Sequence, residues 1–126
     1  MGLDNGIYIT KAGNDEKIKL SERYSFWGDE IAYWRKCWGI RRVILEILEE
    51  SKEEYDDYCI SRPQLKEIIN ALKLFNKKAY WDKHADSIWT FEEFKHNRKK
   101  ILRNLKWLYR YMYFHPEIKV YFYDSY

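Results

Sequence analysis

The chain has 126 residues with a net charge of +3, and 34% of its residues are charged and 19% aromatic. This length is typical of one domain, so we expect residues 1–126 to fold as a single domain. No apolar run approaches the roughly 20 residues that cross a bilayer, and the N-terminus lacks the basic and apolar regions of a signal peptide. We therefore expect a cytoplasmic protein that makes no membrane contact.

Charge is unevenly distributed along the chain. Residues 43–60 carry seven acids and one Lys, whereas residues 62–110 carry 13 Lys or Arg and five acids. Two solvated helix faces that attract each other would explain this polarity. A basic surface for an anionic partner, with the acidic segment steering that partner, is the functional alternative.

The first half of the chain predicts a β-hairpin followed by a helix. Ile7 and Ile9 would lie on one face of a strand and Tyr8 and Thr10 on the other. Residues 12–15 are typical of a turn, and the alternation returns in residues 17–20. From Ile31 to about Glu50 the apolar residues follow helical spacing.

Aromatic rings and positive charges interleave along this first predicted helix, in the stretch Tyr33, Trp34, Arg35, Lys36, Cys37, Trp38 and then Arg41. A ring stacks on a planar base, and a guanidinium pairs with a phosphate. The stretch therefore predicts a cleft for a nucleotide-like anion, with the ligand-binding residues Arg35, Lys36, Trp38, Arg41, Arg42 and Arg62. Because Arg41 falls inside the apolar stripe of the helix, pairing with a core carboxylate is the alternative.

A capping box predicts the start of the second helix. Ser61 and Gln64 have the spacing at which each side chain bonds the other's backbone N–H. The apolar spacing then continues to about Asn76. Residues 77–89 have no clear period and indicate an ordered loop.

A second capping box, Thr90 with Glu93, predicts a third helix from Phe91 to about Tyr113. Residues 117–123 alternate between apolar and polar or tyrosine side chains, which predicts a strand that pairs with the first. The expected fold class is α+β: a small antiparallel sheet, made by the N-terminal hairpin and the C-terminal strand, packed against three helices.

Four sequence landmarks resemble a family of small, uncharacterised phage and prophage proteins. They are Met1-Gly2-Leu3-Asp4, Ala32-Tyr33-Trp34-Arg35-Lys36, Ser61-Arg62-Pro63-Gln64-Leu65 and Tyr121-Phe122-Tyr123-Asp124-Ser125-Tyr126. Cys37 and Trp38 are bulkier than the residues expected from that family, and Arg41 stands in place of a His. The resemblance implies a phage-type origin, in a bacterial host cytoplasm, and a shared fold; it transfers no mechanism.

The third predicted helix also carries a basic ridge, and Arg98 interrupts the apolar line of the same helix. Either this ridge is a solvated face or it contacts nucleic acid, in which case its residues are Lys95, Lys99, Lys100, Arg103, Lys106 and Arg110. Two cysteines and three histidines show no metal-ligand spacing, and no metalloprotease, nucleophile-elbow or phosphate-loop motif occurs. We therefore expect no metal, cofactor or catalytic residue.

These patterns favour a phage-type accessory protein that acts by binding. It would sequester a nucleotide-like signal, as a counter-defence protein does, or inhibit a host factor through the basic-aromatic cleft. The alternatives are a nucleic-acid-binding module that uses the third helix, and a protein-interaction module whose exposed tyrosines anchor a host protein. A homodimer formed through a sheet edge is compatible with each of them.

Overall fold

The computed structural model describes residues 4–11, 30–48, 58–87 and 89–125. Its strands are β1 (Asp4–Lys11), β2 (Glu30–Arg35), β3 (Tyr58–Cys59) and β4 (Ile118–Ser125). Its helices are α1 (Trp38–Ile47), α2 (Arg62–Leu74), α3 (Lys78–His84) and α4 (Phe91–Phe114). The fold class is α+β with a small antiparallel sheet, as predicted, although the described residues contain four helices rather than three.

The sheet is built around the pairing of the first and last described strands. Its strand order is β2-β1-β4-β3, and all neighbours are antiparallel. The β1–β4 register runs without interruption from Asp4 opposite Ser125 to Lys11 opposite Ile118. This pairing confirms the prediction that the C-terminal strand joins the first, and it places the two ends of the described chain side by side.

The hydrophobic core lies between one face of this sheet and the helices. Its buried residues include Ile7, Ile9, Val120 and Phe122 from the sheet and Ile44, Leu65, Ile68, Leu105 and Leu108 from the helices. Helix α2 packs against α1 and α4, and α4 also contacts β2. Burying one such side chain fully stabilises the folded state by about 1.5–3 kcal/mol relative to leaving it exposed.

The predicted helix from Ile31 is wrong in its first seven residues. Ile31 and the four residues after it lie in β2, and the helix begins only at Trp38. Lys36, between the two elements, has a φ of 49°, which no α-helix can contain. Isoleucine and aromatic residues also suit a strand, and here β1 offers that strand a partner.

Two other differences concern connections. Helix α3 lies inside the segment predicted to be a loop. The predicted hairpin strand at residues 17–20 lies outside the described residues, and β2 is the strand that pairs with β1 from Asp4 to Tyr8.

Both capping boxes form as predicted, so α2 and α4 begin where the sequence indicates. The Ser61 N–H donates to Gln64 Oε1 at 2.9 Å, and the Gln64 N–H donates to Ser61 Oγ at 3.2 Å. The equivalent hydrogen bonds between Thr90 and Glu93 are both 3.1 Å. None of the described helices combines the length and the apolar character that crossing a bilayer requires.

The start of α1 lies directly against the end of α3. The Gly39 N–H donates to the Ala85 carbonyl at 2.8 Å, and the Trp38 N–H donates to the Asp86 carbonyl at 3.2 Å. A Cβ atom at position 39 would overlap the His84 carbonyl oxygen and lie 2.5 Å from that of Ala85. Only glycine allows this approach of the two backbones.

We expect Gly39→Ala to destabilise the protein, although alanine is the better helix former. Helix propensity alone predicts a gain of about 1 kcal/mol, whereas forcing the two backbones apart costs about 1–3 kcal/mol. Urea unfolding measures the difference, with Glu46→Ala on the exposed face of α1 as the control. A Gly39→Ala variant at least as stable as the parent would contradict the close approach.

Candidate functional site

The residues of the predicted nucleotide cleft lie on three different elements. Arg35 ends β2 and Lys36 follows it; Trp38, Arg41 and Arg42 lie on α1; and Arg62 is the first residue of α2. The side chain of Arg35 lies outside the described part of the structure. Trp38, Arg41 and Arg42, together with Leu45 and Glu46, line a shallow groove of 330 Å³. Arg62 is not part of its wall.

Arg41 forms a two-point ion pair with Asp124 of β4. Its Nε and Nη2 donate to the two carboxylate oxygens, each at 2.8 Å. Asn5 of β1 also donates to Asp124 Oδ1, at 2.6 Å. The Arg41 and Asp124 side chains are only 20% and 10% exposed. The structure therefore confirms the alternative prediction, in which Arg41 pairs with a carboxylate of the protein itself.

The other two arginines of the predicted cleft have different surroundings. Arg42 lies 3.6 Å from Asp86, with both side chains well exposed. Arg62 Nε donates to the Tyr109 carbonyl at 2.9 Å, and its guanidinium lies 3.8 Å from the centre of the Tyr109 ring. A cation over a ring is stabilised by the ring's negative face. Arg62 thus joins α2 to α4, whereas Arg41 joins α1 to the sheet.

The Arg41–Asp124 pair predicts a measurable coupling energy. Arg41→Met or Asp124→Asn alone leaves its partner largely buried and without its counter-charge, so each single variant should lose stability. The double variant should lose less than the sum, by about 1–3 kcal/mol in urea unfolding.

The exposed Arg42–Asp86 pair is the control for this double-mutant cycle. Its side chains are 61% and 67% exposed, so Arg42→Met and Asp86→Asn should show almost no coupling. Equal coupling energies in the two cycles would mean that burial of the Arg41 pair contributes nothing.

A second candidate surface runs along the exposed side of α4. We use the name α4 basic face for its five exposed cations, which are Lys95, Lys99, Arg103, Lys106 and Arg110. The last four line a groove of 540 Å³ together with Leu102, Trp107 and Asn76, which lies two residues beyond the end of α2. None of the five has a carboxylate oxygen within 4.0 Å among the residues that the structure describes.

Lys100 does not belong to the α4 basic face, although the sequence groups it there. It is half-buried and lies on the side of α4 that faces β2. There it lines a separate pocket of 270 Å³ together with Tyr33, Trp89, Asn97 and Asn104. Trp89 and Asn104 are residues that sequence reasoning missed, because neither belongs to a motif or a charge pattern.

Arg98 is buried in the interior rather than lining a cleft. It is 7% exposed, its Nη1 donates to the Phe91 carbonyl at 3.2 Å, and its guanidinium lies 4.0 Å from the centre of the Phe91 ring. Burial lowers the pKa of Arg98 below its usual range, and the nearby Glu92 charge opposes that shift. Arg98 is therefore a structural cation that is unavailable to a ligand.

Both cysteines are free, and Cys37 is fully buried where β2 leads into α1. Its Sγ lies 3.7 Å from the Ala85 carbonyl oxygen. Burial raises the pKa of the Cys37 thiol from 9.0 to about 11, although hydrogen bonds from Ile40 and Ser87 favour the thiolate. A thiol with so high a pKa is a poor nucleophile at neutral pH.

The raised pKa of Cys37 predicts a loss of stability at high pH. Between pH 9 and about 11 the unfolded thiol releases its proton while the folded thiol keeps it. The stability that is present below pH 9 should therefore fall by up to about 1.4 kcal/mol per pH unit through that window. Urea unfolding across pH should show this slope in the parent and in Cys59→Ala, but not in Cys37→Ala. Parallel curves for all three proteins would contradict the assignment.

No protein-family model, curated protein or solved structure matches this chain. The resemblance to small phage proteins therefore stays a prediction. Among the described residues, no three His, Cys, Asp or Glu side chains lie close enough together to hold a metal ion.

Proposed function

We propose that this protein binds nucleic acid, preferentially single-stranded, through the α4 basic face. The observation that carries this proposal is the single sign of that face beyond the first turn of α4: its five cations lie between Lys95 and Arg110, where the sequence has no acid, and the acids of the helix, Glu92 and Glu93, lie in its first turn. A helix face that serves only for solubility usually mixes acids with bases at a spacing of four residues. Here the pairs Lys95–Lys99, Lys99–Arg103 and Lys106–Arg110 place like charges at that spacing.

The repulsion within the α4 basic face is a cost to the folded protein. Each like-charge pair four residues apart destabilises a helix by about 0.2–0.5 kcal/mol. A polyanion that lies along the helix removes this repulsion and releases its own condensed counterions. The arrangement is therefore more favourable with a bound phosphate backbone than without one.

The length of the α4 basic face matches several nucleotides. With a rise of 1.5 Å per residue, Lys99 and Arg110 lie about 16 Å apart along the helix. One strand of a duplex advances 3.4 Å per phosphate, so the part of the face from Lys99 to Arg110 spans about five phosphates at that spacing. Four of its cations line one continuous groove, which a single backbone can follow.

Trp107 supports single-stranded rather than double-stranded nucleic acid as the partner. Its half-buried ring lies in the same groove as the cations and stacks on Tyr111, with the ring centres 4.8 Å apart. Unpaired bases stack on such rings with about 1–3 kcal/mol each, whatever their sequence. No base-reading motif accompanies the face, so we expect binding without sequence preference.

The predicted small-ligand cleft receives less support. Asp124 already neutralises Arg41, and Arg62 lies against α4 rather than in the α1 groove. In the phage setting that the resemblance implies, a nucleic-acid-binding accessory protein would act in the cytoplasm of the bacterial host.

The proposal predicts salt-dependent binding that two substitutions weaken. Fluorescence anisotropy with a labelled oligothymidylate should give an affinity that falls steeply as salt is raised. Arg103→Gln with Lys106→Gln removes two phosphate contacts, so the slope of log affinity against log salt should decrease by about 1.4.

Lys77→Gln with Lys83→Gln is the matched control, because it removes two exposed lysines that lie outside the α4 basic face. This control should leave both affinity and slope close to those of the parent. Absence of binding at low salt would exclude the proposal. Equal losses in the two double variants would show that net charge, rather than this face, attracts the oligonucleotide.

A further inference from the structure

The pocket between β2 and α4 has the features of a small-molecule site. Its floor is apolar, formed by Ile31, Ala32 and Ile101, and its rim carries polar and aromatic side chains. Its volume of 270 Å³ lies just below the range of about 300–1,000 Å³ for pockets that hold drug-sized ligands. A single planar ring system fits this volume better than a dinucleotide does.

One amide in this pocket is held in a fixed orientation. Asn104 is 5% exposed, and its Nδ2 donates to the Ile31 carbonyl at 3.1 Å. Its Oδ1 accepts no hydrogen bond from the described residues. A buried amide with one anchored end offers an acceptor in a defined position. Such a position suits the N–H edge of a heteroaromatic ring.

The remaining walls supply a ring surface, a second amide and a charge. Trp89 is half-buried and stacks on Phe94, with the ring centres 5.4 Å apart, so Phe94 supports one face of the indole. Lys100 lies one turn and Asn97 two turns before Asn104, on the same side of α4. The pocket thus combines stacking, hydrogen bonding at a ring edge and one cation.

We propose that this pocket binds a nucleobase-sized heteroaromatic molecule that carries one anionic group. The ring would lie against Trp89 with its edge toward the Asn104 amide, and the anionic group would pair with the Lys100 ammonium. This proposal does not rest on the nucleic-acid function, because successive helix residues differ by about 100° in direction. Lys99 lines the basic groove and Lys100 lines the pocket.

Two pairs of probes test the pocket. Orotate and indole-2-carboxylate each carry a ring N–H and a carboxylate, whereas uracil and indole-2-carboxamide are their neutral counterparts. Heteronuclear NMR titration of the full chain follows the Trp89 indole N–H and the Asn104 side-chain amide. We expect at least one anionic probe to shift both signals to saturation at millimolar concentration or below, and its neutral counterpart to bind about tenfold more weakly, as a charge-assisted contact of about 1.4 kcal/mol requires.

Neighbouring lysines provide reciprocal controls. Lys100→Met should weaken the anionic probe about tenfold and leave its neutral counterpart unchanged, while Lys99→Met should leave both unchanged. In the oligothymidylate assay, Lys99→Met should be the more harmful of the two, so the two proposals can fail separately. The pocket proposal is overturned if no probe shifts the Trp89 and Asn104 signals. It is equally overturned if Lys99→Met weakens the anionic probe as much as Lys100→Met does.

Discussion

A single carboxylate, that of Asp124, joins three elements of this fold. Asn5 and Asp124 lie opposite each other in the β1–β4 register, and the Asn5 amide donates a hydrogen bond to the Asp124 carboxylate. Arg41 completes the cluster from α1. Since a largely buried charge is stable only when paired, the arginine and the carboxylate require each other. The position of α1 over the sheet therefore depends on the pairing of the first and last strands.

Contacts within the protein determine which cations remain available to a ligand. Arg41 is neutralised within the protein, and Arg62 and Arg98 lie against aromatic rings and donate to backbone carbonyls. Arg41 connects α1 to the sheet and Arg62 connects α2 to α4, whereas Arg98 contacts Phe91 within α4. The cations of the α4 basic face make no such contacts among the described residues, so their charge remains directed at solvent. Function is thus more reasonably sought on α4 than on the aromatic-rich stretch that stands out in the sequence.

Helix α4 presents three different faces to its surroundings. Leu105 and Leu108 are buried in the core, the α4 basic face points to solvent, and the residues toward β2 line the small pocket. A helix in contact with both a sheet edge and another helix is held firmly on two sides. A rigid support of this kind suits binding, because side chains that are already positioned lose less entropy when a ligand arrives.

Local signals in the sequence determined α2, α4 and β4. The two capping boxes need only residues three positions apart, and the alternation of residues 117–123 needs only the strand itself. The pairing of the first and last strands also follows from the sequence, because a lone terminal strand has few possible partners. The basic character of the third predicted helix is likewise visible in the sequence. The sequence does not show that Lys99 lines the basic groove whereas Lys100 lines the pocket toward β2.

Tertiary structure alone decided that residues 31–35 form a strand and that Arg41 of the predicted cleft pairs with Asp124. The apolar spacing of residues 31–35 is compatible with a helix as well as a strand. They form a strand because β1 lies beside them and pairs with them. Whether Arg41 meets a ligand or Asp124 depends on a residue 83 positions away. Sequence periodicity describes which side of an element is apolar, but a cation's partner is fixed only when distant elements come into contact.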